Sequence, residues 1–340
     1  MIRRLLVALP LTAILLMPAF TPGSTQALAQ ERVTVGTQRL ATSGALFLAA
    51  VNGYFKAEGL DVEMTAYTSP QLVVEALAGG ATDFAVAAFT GAAFNLAGKG
   101  AIKAIAAQVR EKRDYEGNEL VASNAAYSRG LQKADALADK SFSVGELGSP
   151  YHYQLGQIAR LKKFDFASVT LKPASSLDAM ARAVATGEAD AAILPAQYAR
   201  ELLTANQAKL VAWVSEIDEP QLGALFASAK TIGARRETVE KFLRAYRRGA
   251  AEYAAALMRN DKYSKRVVDA KSKAAATAIA RYVYPNQSSG AATVEAIVYY
   301  MDPQARLDAA DIERQVEWYK SQSLIDSSVS ARNVMDLSFR

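Results

Sequence analysis

The chain contains no cysteine and a single histidine, His152, in 340 residues. A disulfide framework, a thiol nucleophile and a zinc site built from Cys and His are therefore excluded. A Ser-His-Asp triad would have to use His152, which follows Ser149 by three residues but has no nucleophile elbow around it. Neither a G-x-G-x-x-G turn nor a G-x-x-x-x-G-K-[ST] loop occurs, so no nucleotide cofactor is expected, and no metal. Strong charge of one sign is also lacking. The formal net charge is +5, and without Arg3 and Arg4 it is 37 minus 34, or +3, with no basic run interleaved with aromatics. Nucleic acid is not an expected partner. Arg244, Arg247 and Arg248 sit at helical spacing and mark a solvated face.

Long apolar runs are confined to the start. Arg3 and Arg4 precede an apolar stretch, Leu5 to Phe20, interrupted by Pro10 and Pro18, and Ala27-Leu28-Ala29 supplies the small-x-small pattern of a signal peptidase site. Residues 1–29 are expected to be a signal peptide cleaved after Ala29, with the mature protein exported to a periplasm. The prolines and small-residue exit argue against a membrane anchor.

What is present is a pattern used twice. Glu75 to Val86 (EALAGGATDFAV) and Arg182 to Ile193 (RAVATGEADAAI) each read as a helix end, a turn and a buried strand, with G-x-x-D-x-A in common. Gly80 and Gly187 suit the left-handed residue that ends a helix, and the aspartates suit the turn after it. Val33-Thr34-Val35-Gly36 opens the first half as Phe142-Ser143-Val144-Gly145 opens the second. A helix through Leu48, Val51 and Phe55 should close at Gly59, and another should run from about Pro150 to Leu161. Strands near 61–66 and 169–171 follow. Each half is thus strand, helix, strand, helix, strand, which implies an α/β fold of two lobes, each a mainly parallel sheet flanked by helices.

After the second copy, strands at 210–214 and 222–227 lead into helices at about 237–259, 270–282 and 309–320. This tail needs a sheet to pack on, so the chain should return to the first lobe. The expected division is 30–122 and 217–340 for lobe I and 123–216 for lobe II, with two crossings forming a hinge.

Ligands of parallel sheets bind at the carboxyl ends of the strands, so the loops there are the candidate site. They offer Gln38, Thr42 and Ser43; Phe89 and Thr90; Gln108; Ser149, Tyr151 and His152; and Gln197 and Tyr198. Ser149-Pro150 has the form of an N-cap with proline at N1, which serves either simple capping or an anion. The aromatic residues either stack on a flat ligand or pack in the core. Arg110 either pairs with a ligand carboxylate or sulfonate or, as its place in the charged run 110–114 favours, is a solvated arginine.

Several segments resemble the periplasmic binding proteins for nitrate, sulfonate and taurine and for thiamine-pyrimidine precursors: Gly53-Tyr54-Phe55-Lys56-Ala57-Glu58-Gly59-Leu60-Asp61-Val62-Glu63, Ser69-Pro70-Gln71, Gly80 through Phe84, Gly148-Ser149 with His152, and Trp318-Tyr319-Lys320 before Leu324-Ile325-Asp326. The resemblance implies a type II binding-protein fold with a two-crossover hinge. It also implies an ABC importer's solute-binding component, monomeric, which delivers a small polar organic molecule, anionic or aromatic among the options, to a permease of the inner membrane. Eukaryotic relatives that make thiamine pyrimidine need a cysteine-rich motif, which this chain lacks. Two alternatives stand beside importer binding: a periplasmic hydrolase or lyase using carboxylates of the same cleft, for which Glu146 is the nearest acid, and a binding protein that serves a sensor.

Overall fold

A computed structural model describes residues 30–261 and 265–339; the expected signal peptide lies outside the described residues. The first half runs β1 (Glu31–Thr37), α1 (Gly44–Val51), α2 (Tyr54–Ala57), β2 (Leu60–Ala66), α3 (Pro70–Ala78), β3 (Phe84–Ala88), α4 (Gly91–Gly98), β4 (Ile102–Ala107) and β5 (Val109–Arg110). The second runs β6 (Asn118–Ser123), α5 (Asn124–Ser128), β7 (Ser141–Val144), α6 (Pro150–Lys162), β8 (Thr170–Pro173), α7 (Leu177–Thr186), β9 (Ala191–Pro195), α8 (Ala196–Thr204) and β10 (Ala208–Trp213). The chain then returns through β11 (Gly223–Ser228), α9 (Ala229–Ala234), α10 (Arg236–Leu257), α11 (Ala270–Val283), α12 (Gly290–Ala296), β12 (Tyr300–Met301), α13 (Ala309–Ser321) and α14 (Ala331–Val334).

Two five-stranded sheets result, ordered β2-β1-β3-β11-β4 and β10-β6-β9-β7-β8. Both have the same plan. β1, β2 and β3 are parallel, as are β7, β8 and β9. The one antiparallel strand in each is the strand that enters after a crossing: β11 between β3 and β4, and β6 between β9 and β10. The strand around Leu120–Ala122, expected to end the first lobe, therefore belongs to the second sheet, and the first crossing is the 111–117 segment. A run of small and branched apolar residues suits either sheet equally, so its pattern did not fix its partner.

The repeat has a structural basis. Gly80 and Gly187 both adopt positive φ, +79° and +77°, at the ends of α3 and α7. One helix departs from expectation: the segment through Leu48 and Phe55 is broken at Asn52-Gly53, where Gly53 turns left-handed (φ 71°) and separates α1 from α2. The C-terminal helices pack on the first sheet. Phe242 of α10 stacks on Phe84 of β3 with ring centroids 4.1 Å apart, and full burial of a side chain this size contributes roughly 2–3 kcal/mol. α13 covers the opposite face and reaches the second lobe, where the indole of Trp318 lies over Gly156 of α6, so close that a Cβ there would meet it at 2.4 Å.

Candidate functional site

The carboxyl ends of the parallel strands face one another across a small cavity of about 30 Å3. Gln38 follows β1, Ala88 ends β3, Gln108 follows β4 and Pro195 ends β9, and all four line it. Thr42 and Ser43, just before α1, line the same space, with Tyr151 and Pro150 at the start of α6 and Pro70 at the start of α3. The antiparallel strands contribute by their beginnings: Asn118 opens β6, and Leu222 precedes β11.

The polar groups of the first lobe form a chain. Ser43 Oγ lies 2.9 Å from Thr37 Oγ1, and Gln108 Nε2 donates to Ser43 Oγ at 3.4 Å. Gly223 makes room for this arrangement, since a Cβ there would meet Ala87 O at 2.2 Å and Gln108 Oε1 at 2.4 Å. On the second-lobe side Asn118 Nδ2 donates to Gln154 Oε1 (2.9 Å), and Tyr299 Oη donates to Asn118 Oδ1 (3.4 Å). Tyr151 is a phenol rather than a phenolate, because burial, with Tyr198 and Glu111 nearby, raises its pKa far above the ordinary value.

Five of the candidates named from sequence, Gln38, Thr42, Ser43, Gln108 and Tyr151, share this cavity; six do not line it. Phe89 turns into the first-lobe core, stacked on Phe94 (5.3 Å) and edge-on to Phe226 (5.7 Å). Thr90 and Ser149 are buried caps, accepting from Ala93 N and His152 N. His152 packs edge-on against Trp318 at 5.3 Å and accepts from Gly148 N through Nδ1; burial lowers its pKa to about 4, so it is neutral. Gln197 spans the lobes by accepting from Ala41 N at 3.4 Å. Tyr198 packs on the apolar cluster around Met180 and Leu202. At a strand's end a side chain points either into the cleft or into a core, and the helix packed behind it decides which. Asn118, Leu222 and Pro70 lie outside the loops expected from sequence, and Pro150 and Pro195 lie within them without having been singled out. Asn118 and Leu222 escape any rule that looks only at carboxyl ends of strands, because their strands run the other way.

The lobes touch around the cavity. Gly91 N donates to Gly148 O at 2.9 Å, and Tyr319 Oη donates to Ser149 O at 3.2 Å. Behind it the crossings are tied together: Glu111 N donates to Pro220 O, Leu222 N donates to Val109 O, and Lys112 pairs with Glu219. Arg110 belongs to this region, bonded to Asp308 and Glu219 O, and does not line the cavity. Glu111 is fully buried. It accepts from Asn118 N and Gln154 Nε2 on one oxygen, while the other has no partner. Burial raises its pKa to about 8, against those hydrogen bonds and with help from Asp218, so it is mostly protonated at neutral pH. Glu146 is half-buried with a raised pKa from burial and from Glu75, and it does not line the cavity. A larger groove of about 630 Å3 on the first lobe meets β4 at mid-strand, at Ile105, rather than at strand ends.

A family model described as NMT1/THI5 like matches residues 41–256, more than half of the chain. No curated protein sequence matches. Among solved structures, the ligand-binding component of an ABC-type import system from Staphylococcus aureus, with zinc bound, superposes with a TM-score of 0.70 at 14% identity, covering 91% of this chain and 98% of that one. The periplasmic aliphatic sulphonate binding protein SsuA from Escherichia coli gives 0.68 at 11% identity, with coverage of 90% and 92%. The desulfurization enzyme DszB gives 0.62 at 16% identity, with coverage of 91% and 97%. At these identities the likeness is one of fold: a two-lobed fold shared by binders and by an enzyme.

Proposed function

This chain belongs to the NMT1/THI5-like family, and on that premise we propose that it is the solute-binding component of an ABC importer, closing its two lobes on a small polar organic molecule and handing it to a membrane permease. The observation that carries this reading is the cavity itself. It lies between two sheets of matching plan and is lined by amides, hydroxyls and a phenol from both. Such groups orient and hold a solute. Closure requires contacts that only the closed form makes, so affinity and lobe movement are one equilibrium. The first lobe presents Gln38, Thr42 and Gln108, and the second presents Tyr151 and Asn118.

The leader-like start supports an exported protein, and among the described residues no helix is long and apolar enough to cross a membrane. A monomer that engages no nucleic acid fits the same role. The enzymatic alternative draws on the likeness in fold to DszB, but the cavity presents no acid pair and no nucleophile–base pair. Thermal-shift screening of the mature protein against sulfonates, carboxylates, amides and heteroaromatic compounds tests the proposal, because a ligand of the folded form alone raises the melting temperature. The ligand should come back chemically unchanged after prolonged incubation, and Gln108→Ala should weaken its binding about tenfold while moving the melting temperature little. Turnover of the bound compound would convert the reading to an enzyme.

A further inference from the structure

The cavity is notable for the charge it does not present. Among the described residues that line it, none is Asp, Glu, Lys, Arg or His. Of the cations nearby, Arg110 pairs with Asp308, and Arg200 lies 3.6 Å from Glu116 and 3.9 Å from Glu119; Arg39, between the lining residues Gln38 and Leu40, is exposed and does not itself line the cavity. A carboxyl group, that of Glu111, is in direct contact with a lining residue, accepting from the Asn118 backbone amide.

A site without cations can still hold an anion on the free N–H groups of helix starts. Here several of those groups are absent or taken, the second-position amides of α3 and α6, Gln71 N and Tyr151 N, excepted. Pro70, Pro150 and Pro195 have no N–H. The third-position amides of α3 and α6, Leu72 N and His152 N, donate to Ser69 and Ser149. Ala196 N at the start of α8 goes to Gly117 O and Tyr299 Oη, and Ala41 N goes to Gln197. An anion entering this space would lose its water shell without a counter-charge among the lining residues. A neutral group loses far less, and Gln38, Thr42, Gln108 and Tyr151 include side chains that both donate and accept.

We propose that the cleft selects an uncharged solute carrying both a hydrogen-bond donor and an acceptor, with an apolar body against Leu40, Val86 and Leu222, and that it rejects the anion of the same shape. This rests on the binding reading and narrows it, setting the chain apart from the sulphonate binder whose fold it shares. The discrimination is the kind a site achieves by withholding a partner from the wrong ligand.

The test uses matched pairs that differ in charge and hardly in shape: benzenesulfonamide against benzenesulfonate, methanesulfonamide against methanesulfonate, and benzamide against benzoate. Titration calorimetry on the mature full chain should find the neutral member of at least one pair binding about tenfold tighter or more. Thr42→Lys places a cation in the cavity and should bring the anion of that pair to parity or beyond, with the melting temperature of the variant recorded as a check on folding. Equal or tighter binding of the anions by the unaltered chain overturns the inference and leaves the binding reading standing. Silence from every member of every pair overturns the inference. If lobe closure is also absent, the binding reading falls with it.

Discussion

In the first lobe Asp83 accepts from Thr34 N and Thr34 Oγ1 through one oxygen, at 3.0 and 3.2 Å, and Arg235 pairs with the other. In the second, Asp190 accepts from Ser141 N and Ser141 Oγ at 2.9 and 2.8 Å, and Arg129 pairs with its second oxygen. Each pair is separated by 49 residues. The loops at the opposite ends of the same strands share nothing of the kind. Lobe I sends Gln38, Thr42, Ser43 and Gln108 to the cavity, with Leu40, Pro70, Val86, Ala88 and Leu222, whereas lobe II sends Pro150, Pro195, Tyr151 and Asn118. The position after β4 is Gln108, whereas the position after β10 is Val214, which is buried among apolar neighbours. The far end of each sheet repeats a fastening, and the near end divides the labour: lobe I supplies the linked hydroxyls and amides together with the apolar surface, and lobe II a phenol, an amide and two stiff prolines.

The sharpest break in this comparison should come at the glycines beside the entering strands. Gly223→Ala drives a Cβ into the backbone of β3 at Ala87 and into Gln108, neither of which can move without disturbing the sheet or the cavity. It should cost about 3 kcal/mol in urea denaturation and abolish binding. Gly117→Ala meets the buried carboxyl of Glu111, Oε2 at 1.9 Å. It should cost less, because a side chain gives way more readily than a sheet.

The crossings differ in sign of charge response. Protonated Glu111 is favoured by the folded state, since its pKa is raised to about 8 by burial. Below the ordinary glutamate value of about 4.3, folded and unfolded chains both hold this proton. Between there and about 8 only the folded chain holds it, so stability falls as pH rises, by at most about 1.4 kcal/mol per unit, and then levels off. Glu119, raised by burial to about 7, adds a slope of the same sign. Glu111→Gln should therefore flatten part of the decline and stabilise the chain at pH 8. Glu219 on the other crossing behaves oppositely: burial raises its pKa, but bonds from Arg113 N and Lys112 more than offset that and hold it low, so its contribution is lost as acid protonates it. Parallel pH series of unfolding for Glu111→Gln and Glu219→Gln would show whether the two slopes oppose each other.

A smaller and more symmetric effect is expected at the fastenings. Asp83→Ala and Asp190→Ala each remove a charged acceptor from a strand amide and a hydroxyl, and should cost about 2 kcal/mol apiece with ligand affinity unchanged. Costs that differ by more than about 1 kcal/mol would show that the two copies are not energetically equivalent.

The fastenings were also the most legible part of the chain. G-x-x-D-x-A marks a helix end and a turn whose chemistry is local, so Gly80, Asp83, Gly187 and Asp190 could be read directly. The cleft was legible only where a loop continues a parallel strand, as at Gln38 and Gln108. The placement of β6 was not legible, because its apolar run satisfies either sheet. Nor were the fates of Phe89 and His152, which depend on α4 and α13 lying behind them. Trp318 and Tyr319 stand about 165 residues downstream of His152 and Tyr153 of α6, against which they pack, and no local pattern announces that contact.

The central claim, that two lobes close over a solute, is tested most directly by small-angle scattering of the mature chain, with and without a saturating compound from the neutral set that binds. The closed arrangement leaves a cavity of only about 30 Å3, so entry of any organic solute requires the lobes to part first. The radius of gyration should be larger in the free protein, should shrink on saturation, and should do so with the same midpoint as binding. Tight binding with a scattering profile unchanged at every concentration would contradict the account.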